Sequence, residues 1–326
     1  MELILPDTID FKAYLRETDA KANVKNASHY TKVLKDRLRL KRSEKKVYLP
    51  WTKTCENFDF RAGEVTVWAG QNGHGKSLVT SMVALSLIGQ GQKVCIASFE
   101  MKPHMTMQRM ARMYAGMNPF SPEFQGDEGM AAIDALYDDF GGWIDGNLWI
   151  YDQQGTADLG LVIGMARYCA VELGVQHLFV DNLAKVVAAE DDYNSQKAFV
   201  DEMTAIARDH QIHVHIVHHL KKPGKETDLP DKHDLKGSGA IADQVDNIIL
   251  VFRNKSKEDA VRSGKVGDKS ADPDQILFVR KQRNYEGAAD GEPKIALWFD
   301  PDSQQYRESP RAPALFFPNY PHVQSM

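Results

Sequence analysis

The sequence predicts an α/β fold, a mostly parallel twisted sheet flanked by helices with an antiparallel C-terminal edge, and three observations carry that expectation. From about residue 64 to about residue 300, short β-branched runs alternate with longer amphipathic ones, as they do where crossover helices join parallel strands. An apolar run containing Val65, Val67 and Trp68 passes directly into a glycine-rich turn and then a helical stretch. Beyond His219 the β-rich segments 247–252, 276–280 and 295–299 follow one another with no long helix between the last two, which suits antiparallel pairing.

In chain order, strands are expected at residues 64–69, 94–99, 148–151, 177–180 and 213–217, with helices at 77–88, 103–114, 159–173 and 195–210 filling the gaps. Residues 51–302 form the domain that these elements build. Residues 1–50 lack a core pattern and read as an N-terminal arm. Residues 303–326, with Pro310, Pro313, Phe316, Phe317, Pro318, Tyr320 and Pro321, lack periodicity and read as an extended tail. Two loops, 118–128 and 221–234, stand out by length or composition.

The chemistry is concentrated at Gly70, Gln71, Asn72, Gly73, His74, Gly75, Lys76 and Ser77, a complete GxxxxGK[ST] phosphate loop between a strand and a helix. Its glycines allow backbone N–H groups to wrap phosphates, Lys76 can reach the β and γ oxygens, and the Ser77 hydroxyl can ligate Mg²⁺. Binding and hydrolysis of a nucleoside triphosphate, with Mg²⁺, are therefore expected. Hydrolysis also needs a carboxylate that organises metal and a base that positions water. Asp181 ends the apolar run Leu178, Phe179, Val180 and is placed for the first role, as a Mg²⁺ partner beside Ser77. Glu100 closes the run from Cys95 to Phe99 and is placed for the second.

The phosphate loop, then Ser98, Phe99, Glu100 and Met101, then Asp181, then His218, His219, Leu220 and Lys221, then residues 234–241, then Lys281, Gln282, Arg283 and Asn284 occur in an order that resembles the RecA-type motor domain of DnaB-family replicative helicases. The form of the fourth segment is similar to the helicase half of phage and mitochondrial primase-helicases. The resemblance implies a RecA-like P-loop NTPase core and an ATP-dependent DNA helicase that translocates on single-stranded DNA as a ring or spiral homo-oligomer, a hexamer in the family. It implies catalytic roles for Lys76, Glu100 and His219, the last as a γ-phosphate sensor. Lys281 and Arg283 would be supplied in trans by the neighbouring subunit. Lys236, Gly237, Ser238 and Gly239 would form a channel loop that grips the DNA backbone, and Lys185 a second contact. Primase or other replication proteins are implied partners.

Composition sets bounds on these roles. A net charge of −5 argues against an all-over basic nucleic-acid coat but leaves room for a local basic channel. The one strongly basic segment holds Lys32, Lys35, Arg37, Arg39, Lys41, Arg42, Lys45 and Lys46, and reads as a solvated face, as a docking arm, or as the linker helix of ring helicases. Cys55, Cys95 and Cys169 have no CxxC spacing, so a zinc module and primase activity are not expected. His213, His215 and His218 alternate with apolar residues and read as packed strand residues rather than metal ligands. No apolar stretch is long enough to span a membrane and no signal peptide is expected, so a cytoplasmic location in a bacterial or phage-infected cell is anticipated. A second function class stays open: a non-unwinding ATPase serving as nucleotide switch, loader or recombination factor, for which the proline and aromatic tail would offer a docking segment.

Overall fold

The computed structural model describes residues 3–4, 27–28, 30–32, 34–35, 45–153, 155, 157–186, 192–221, 229–231, 234–235, 239–264, 269, 271–284 and 293–317. Its centre is a ten-stranded sheet in the order β1-β6-β5-β7-β8-β4-β9-β10-β11-β12. The strands are β1 (Leu3–Ile4), β4 (Val65–Gly70), β5 (Val94–Ser98), β6 (Leu148–Tyr151), β7 (His177–Asp181), β8 (His213–His219), β9 (Asn247–Arg253), β10 (Gln275–Gln282), β11 (Lys294–Asp300) and β12 (Gln305–Arg307). A short hairpin, β2 (Val47–Tyr48) with β3 (Asp59–Phe60), lies outside it. The helices are α1 (Lys76–Gly89), α2 (Pro103–Ala115), α3 (Asp127–Ile144), α4 (Leu159–Val171), α5 (Tyr193–His210), α6 (Gly239–Gln244) and α7 (Lys255–Arg262).

The parallel part extends one strand further than the segment pattern suggested. β9 runs parallel to β4, and the antiparallel edge begins at β10. Helices cover both faces, which explains why the central strands read as unbroken apolar runs. The pleat divides β4 between two cores: Val65, Val67 and Ala69 face the core shared with α4 and α5, while Trp68 faces the core shared with α1 and α2. Register then fixes the edge that matters. Gly70 pairs with His219 and Ser98 with Asp181, so β4, β5, β7 and β8 end side by side.

Three elements depart from the expected organisation. Leu3–Ile4 of the N-terminal arm pairs with β6 at the sheet edge. Residues 127–144 form α3, where Gly129, Gly141 and Gly142 dilute the helical signal. The segment from residue 303 does not extend away: β12 pairs with β11, and Phe317 is buried against Trp143. Gln305 staples it by donating from Nε2 to Met113 O (2.7 Å) and Leu315 O (2.8 Å) and by accepting from Leu315 N (2.7 Å). Residues 318–326 lie outside the described residues.

His177, His213 and His215 pack beneath the β2–β3 hairpin with Phe60 and Phe179, and the His215 ring stacks on Phe179 at 4.0 Å. Their hydrogen bonds form a neutral chain. Trp68 Nε1 donates to His215 Nδ1 (3.2 Å), leaving His215 Nε2–H to donate to His177 Nδ1 (3.1 Å). His213 donates from Nδ1 to Arg61 O (2.7 Å), and its Nε2 meets the Thr66 hydroxyl (2.8 Å). Burial pushes His213 down to about 4 and holds His177 and His215 well below the usual histidine range.

A histidine whose folded pKa is depressed is neutral in the native state, so folding loses stability as pH falls from the unfolded value of about 6.5 toward the folded one. For His213 the loss at pH 5 is on the order of 2 kcal/mol. Urea unfolding is expected to show a falling midpoint between pH 6.5 and pH 5, above the range where exposed carboxylates titrate. A flat midpoint over that interval would contradict the neutral histidine chain.

Candidate nucleotide-binding site

The phosphate loop leaves the end of β4 and enters α1, and two of its glycines are required, Gly70 by space and Gly75 by its left-handed backbone. A Cβ on Gly70 would lie 2.6 Å from Val251 O, and one on Gly75, held at φ +79°, would lie 2.6 Å from the Tyr306 hydroxyl. Lys76 opens the helix almost fully buried. Its Nζ donates to Gly70 O (3.0 Å) and Gln71 O (3.1 Å) and stands 3.2 Å from His219 Nδ1. Burial lowers its pKa, while Asp181 and Glu100 act in the opposite sense. His74 is buried edge-on to Phe252 and is pushed down to about 4, chiefly by burial and by Lys255. Arg253 closes the loop from outside by donating to Gly73 O (3.1 Å).

Asp181 ends β7 beside this loop. Ser77 Oγ donates to its Oδ2 at 2.6 Å. Burial pushes the Asp181 carboxyl up; the Ser77 hydrogen bond, Lys76 and Arg109 pull it down, and Glu100 adds to the rise. Ser77 and Asp181 are hard oxygen donors of the kind Mg²⁺ takes together with phosphate oxygens and water. Among the described residues no group of three or more His, Cys, Asp or Glu is arranged to hold a metal ion by itself.

Glu100 projects from the end of β5, and Asn182 links it to β8. The Asn182 Nδ2 donates to Glu100 Oε1 at 2.6 Å and lies 2.8 Å from His219 Nε2. Thus Lys76, Ser77, Glu100, Asp181 and His219, named from the sequence, converge on one strand edge. The sequence reading missed Asn182 and Arg109. Asn182 follows Asp181 directly, which was its only signal. Arg109, a lone basic residue in the methionine-rich run of α2, lines a cleft with Ser77, Thr80, Ser98, Met101 and Asp181. Its burial lowers its pKa, and Asp181 and Tyr306 oppose that shift.

Lys281 and Arg283 do not join this cluster within the chain. They sit near Asn247 and Asp246, level with the start of β4, about 13 Å along the strands from Gly70. Lys281 Nζ donates to Ala242 O (2.6 Å) and Asp243 O (3.1 Å) at the end of α6, and Arg283 Nη1 pairs with Asp246 Oδ1 at 3.2 Å. Lys185 is exposed in a 3₁₀ turn just after β7. Gly239 begins α6, whereas Lys236, Gly237 and Ser238 lie outside the described residues.

A glycine-shaped loop with a buried lysine, at the carboxyl edge of a parallel sheet and beside a strand-end aspartate, defines a P-loop nucleotide-binding domain. The DnaB-like helicase C terminal domain family matches residues 58–308. The chain belongs to that family. It is 29% identical over 210 residues to a DNA helicase/primase of Enterobacteria phage T3, covering 60% of this chain and 36% of that protein. It is 24% identical over 202 residues to the replicative DNA helicase DnaB of Treponema pallidum (strain Nichols), covering 61% and 45%. The Twinkle homolog of Arabidopsis thaliana is 23% identical over 281 residues, 81% of this chain and 37% of that one. The chain therefore spans less than half the length of these relatives. The fold is similar to that in a solved structure of a DnaB-like replicative helicase and its interactions with primase (TM-score 0.66, 14% identity, 87% of this chain and 67% of that one). It is also similar to a solved ATPase domain that the match covers almost end to end (TM-score 0.69, 15% identity, 87% and 99%).

Lys76→Ala removes the only cation buried inside the loop among the described residues and is expected to weaken binding of a fluorescent ATP analogue by about 100-fold or more. Undiminished binding would detach the loop from phosphate recognition.

Proposed function

We propose that this chain is the motor of an ATP-dependent replicative-type DNA helicase, hydrolysing ATP between the subunits of a ring or spiral and moving along single-stranded DNA. The observation that carries the reading is the convergence of Lys76, Ser77, Asp181, Glu100 and His219 on one strand edge. In this reading Gly70 to Ser77 cradle the phosphates and Lys76 offsets their charge. Ser77 and Asp181 hold Mg²⁺, which when bound neutralises charge on the phosphate oxygens. Glu100 accepts a proton from water aligned with the γ-phosphorus, and His219 meets the γ-phosphate.

Lys281 and Arg283 lie at the opposite end of the strands from their own phosphate loop, which suits delivery to a neighbour's nucleotide. Basic residues that act in this way are worth about 10³ to 10⁵ in rate in the best-measured systems. Lys236, Gly237, Ser238 and Gly239, with Lys185, are assigned to the DNA strand. Main-chain and lysine contacts to phosphates carry no base information, so binding is sequence-independent and weakens with salt. Primase and other replication proteins are the partners the relatives suggest, and the site of action is the cytoplasm of a bacterial or phage-infected cell. The rival nucleotide-switch reading drew on a docking tail, and the packing of residues 305–317 on the domain removes that support as far as Phe317.

ATP turnover is expected to rise with single-stranded DNA and to accompany displacement of a forked duplex, while Glu100→Gln retains ATP binding and loses turnover by about 100-fold or more. Turnover indifferent to DNA, without strand displacement, would select the switch; unchanged hydrolysis in Glu100→Gln would move the base elsewhere.

A further inference from the structure

The contacts among Lys76, His219, Asn182 and Glu100 form a continuous line whose hydrogens can be counted. Both Asn182 contacts fall on one atom, Nδ2, which donates to Glu100 Oε1 (2.6 Å) and faces His219 Nε2 (2.8 Å). Exchanging amide oxygen and nitrogen would set oxygen against the Glu100 carboxylate, so the carboxylate fixes which end of the amide points inward. Asn182 is 1% exposed, so its amide has little room to seek other partners. The second Nδ2 hydrogen therefore points at His219 Nε2, which must offer a lone pair. In a neutral imidazole the hydrogen then resides on Nδ1.

That hydrogen faces Lys76 Nζ at 3.2 Å, and an ammonium is a donor only. Two donors meet at the mouth of the phosphate loop. An anionic oxygen arriving between them accepts from both, whereas a diphosphate, one phosphoryl group shorter, has no γ-phosphate oxygen to offer them.

We infer that Asn182 is a positioning residue which sets the His219 tautomer, makes that histidine a donor to the terminal phosphate of a nucleoside triphosphate, and ties Glu100 to the same line. The inference rests on the reading of His219 as the residue that meets the γ-phosphate. It adds a device for telling triphosphate from diphosphate: the tautomer is held by the same amide that holds the base. Replacing Asn182 with Asp reverses the polarity, because a carboxylate accepts from Nε2–H and turns Nδ1 into an acceptor aimed at the phosphate.

The test uses the full chain with ¹⁵N,¹³C-labelled histidine, and His219→Gln identifies the His219 signals. Ring shifts are expected to report Nδ1–H in the unsubstituted protein and Nε2–H in Asn182→Asp. The affinity ratio of a non-hydrolysable ATP analogue to ADP is expected to fall about tenfold or more in Asn182→Asp and in His219→Ala, with no further fall when the two are combined. An Nε2–H tautomer in the unsubstituted protein would overturn the inference. So would a ratio lowered in His219→Ala but untouched in Asn182→Asp, a result that leaves the γ-phosphate role of His219 standing. A ratio untouched in His219→Ala would remove that role, and the inference with it.

Discussion

Everything in the site depends on the in-phase ending of four parallel strands. Because Gly70 pairs with His219 and Ser98 with Asp181, the last residues of β4, β5, β7 and β8 share one edge without any side chain having to reach across the sheet. Backbone bonds lock this edge: Phe99 N donates to Asp181 O (2.8 Å), and Leu220 N donates to the same Gly70 carbonyl that receives Lys76. A one-residue slip of β7 would turn Asp181 to the other face and put Val180 or Asn182 against Ser77. The apolar runs behind the edge are what prevent that slip, since Val180 and Phe179 belong to different cores.

The same edge leads outward toward the loop assigned to DNA. Gln71 donates to Lys221 O just beyond β8, Lys221 N donates to Asp234 O (2.7 Å), and Leu220 bridges to Leu235. These bonds connect the phosphate loop to both ends of the 222–233 connection. At the far end of the strands, Arg283 and Lys281 grip the end of α6, the helix that follows that segment. Lys281 and Arg283 thus hold the helix whose start, Gly239, follows the 222–233 connection that Gln71 and Leu220 anchor.

The parts legible from sequence were those whose signal is local. A phosphate loop, an apolar run ending in Asp181 and another ending at Glu100 each announce a strand and the place where it ends within a few residues. Arg109 gave no such signal, because its role arises only when α2 lays it across Ser77 and Asp181. Asn182 gave no signal beyond following Asp181, and its two contacts come from strand ends distant in sequence. The C-terminal segment was misjudged because prolines suppress periodicity, while its attachment depends on Gln305 and Phe317, single residues with long-range partners. The buried histidines were read correctly as packing residues, since their alternation with Val214 and Ile216 matches a strand covered on both faces.

The proposal that one pocket is completed by two subunits draws on Arg283 lying at the strand end remote from its own Lys76. Mixing Arg283→Ala subunits with Glu100→Gln subunits and measuring single-stranded-DNA-stimulated ATP turnover tests it directly. Each variant alone is predicted to be inactive, and mixtures are predicted to regain activity at interfaces where an intact Glu100 meets an intact Arg283. Mixtures that stay inactive at every ratio, or an Arg283→Ala protein that turns over ATP normally by itself, would contradict the account.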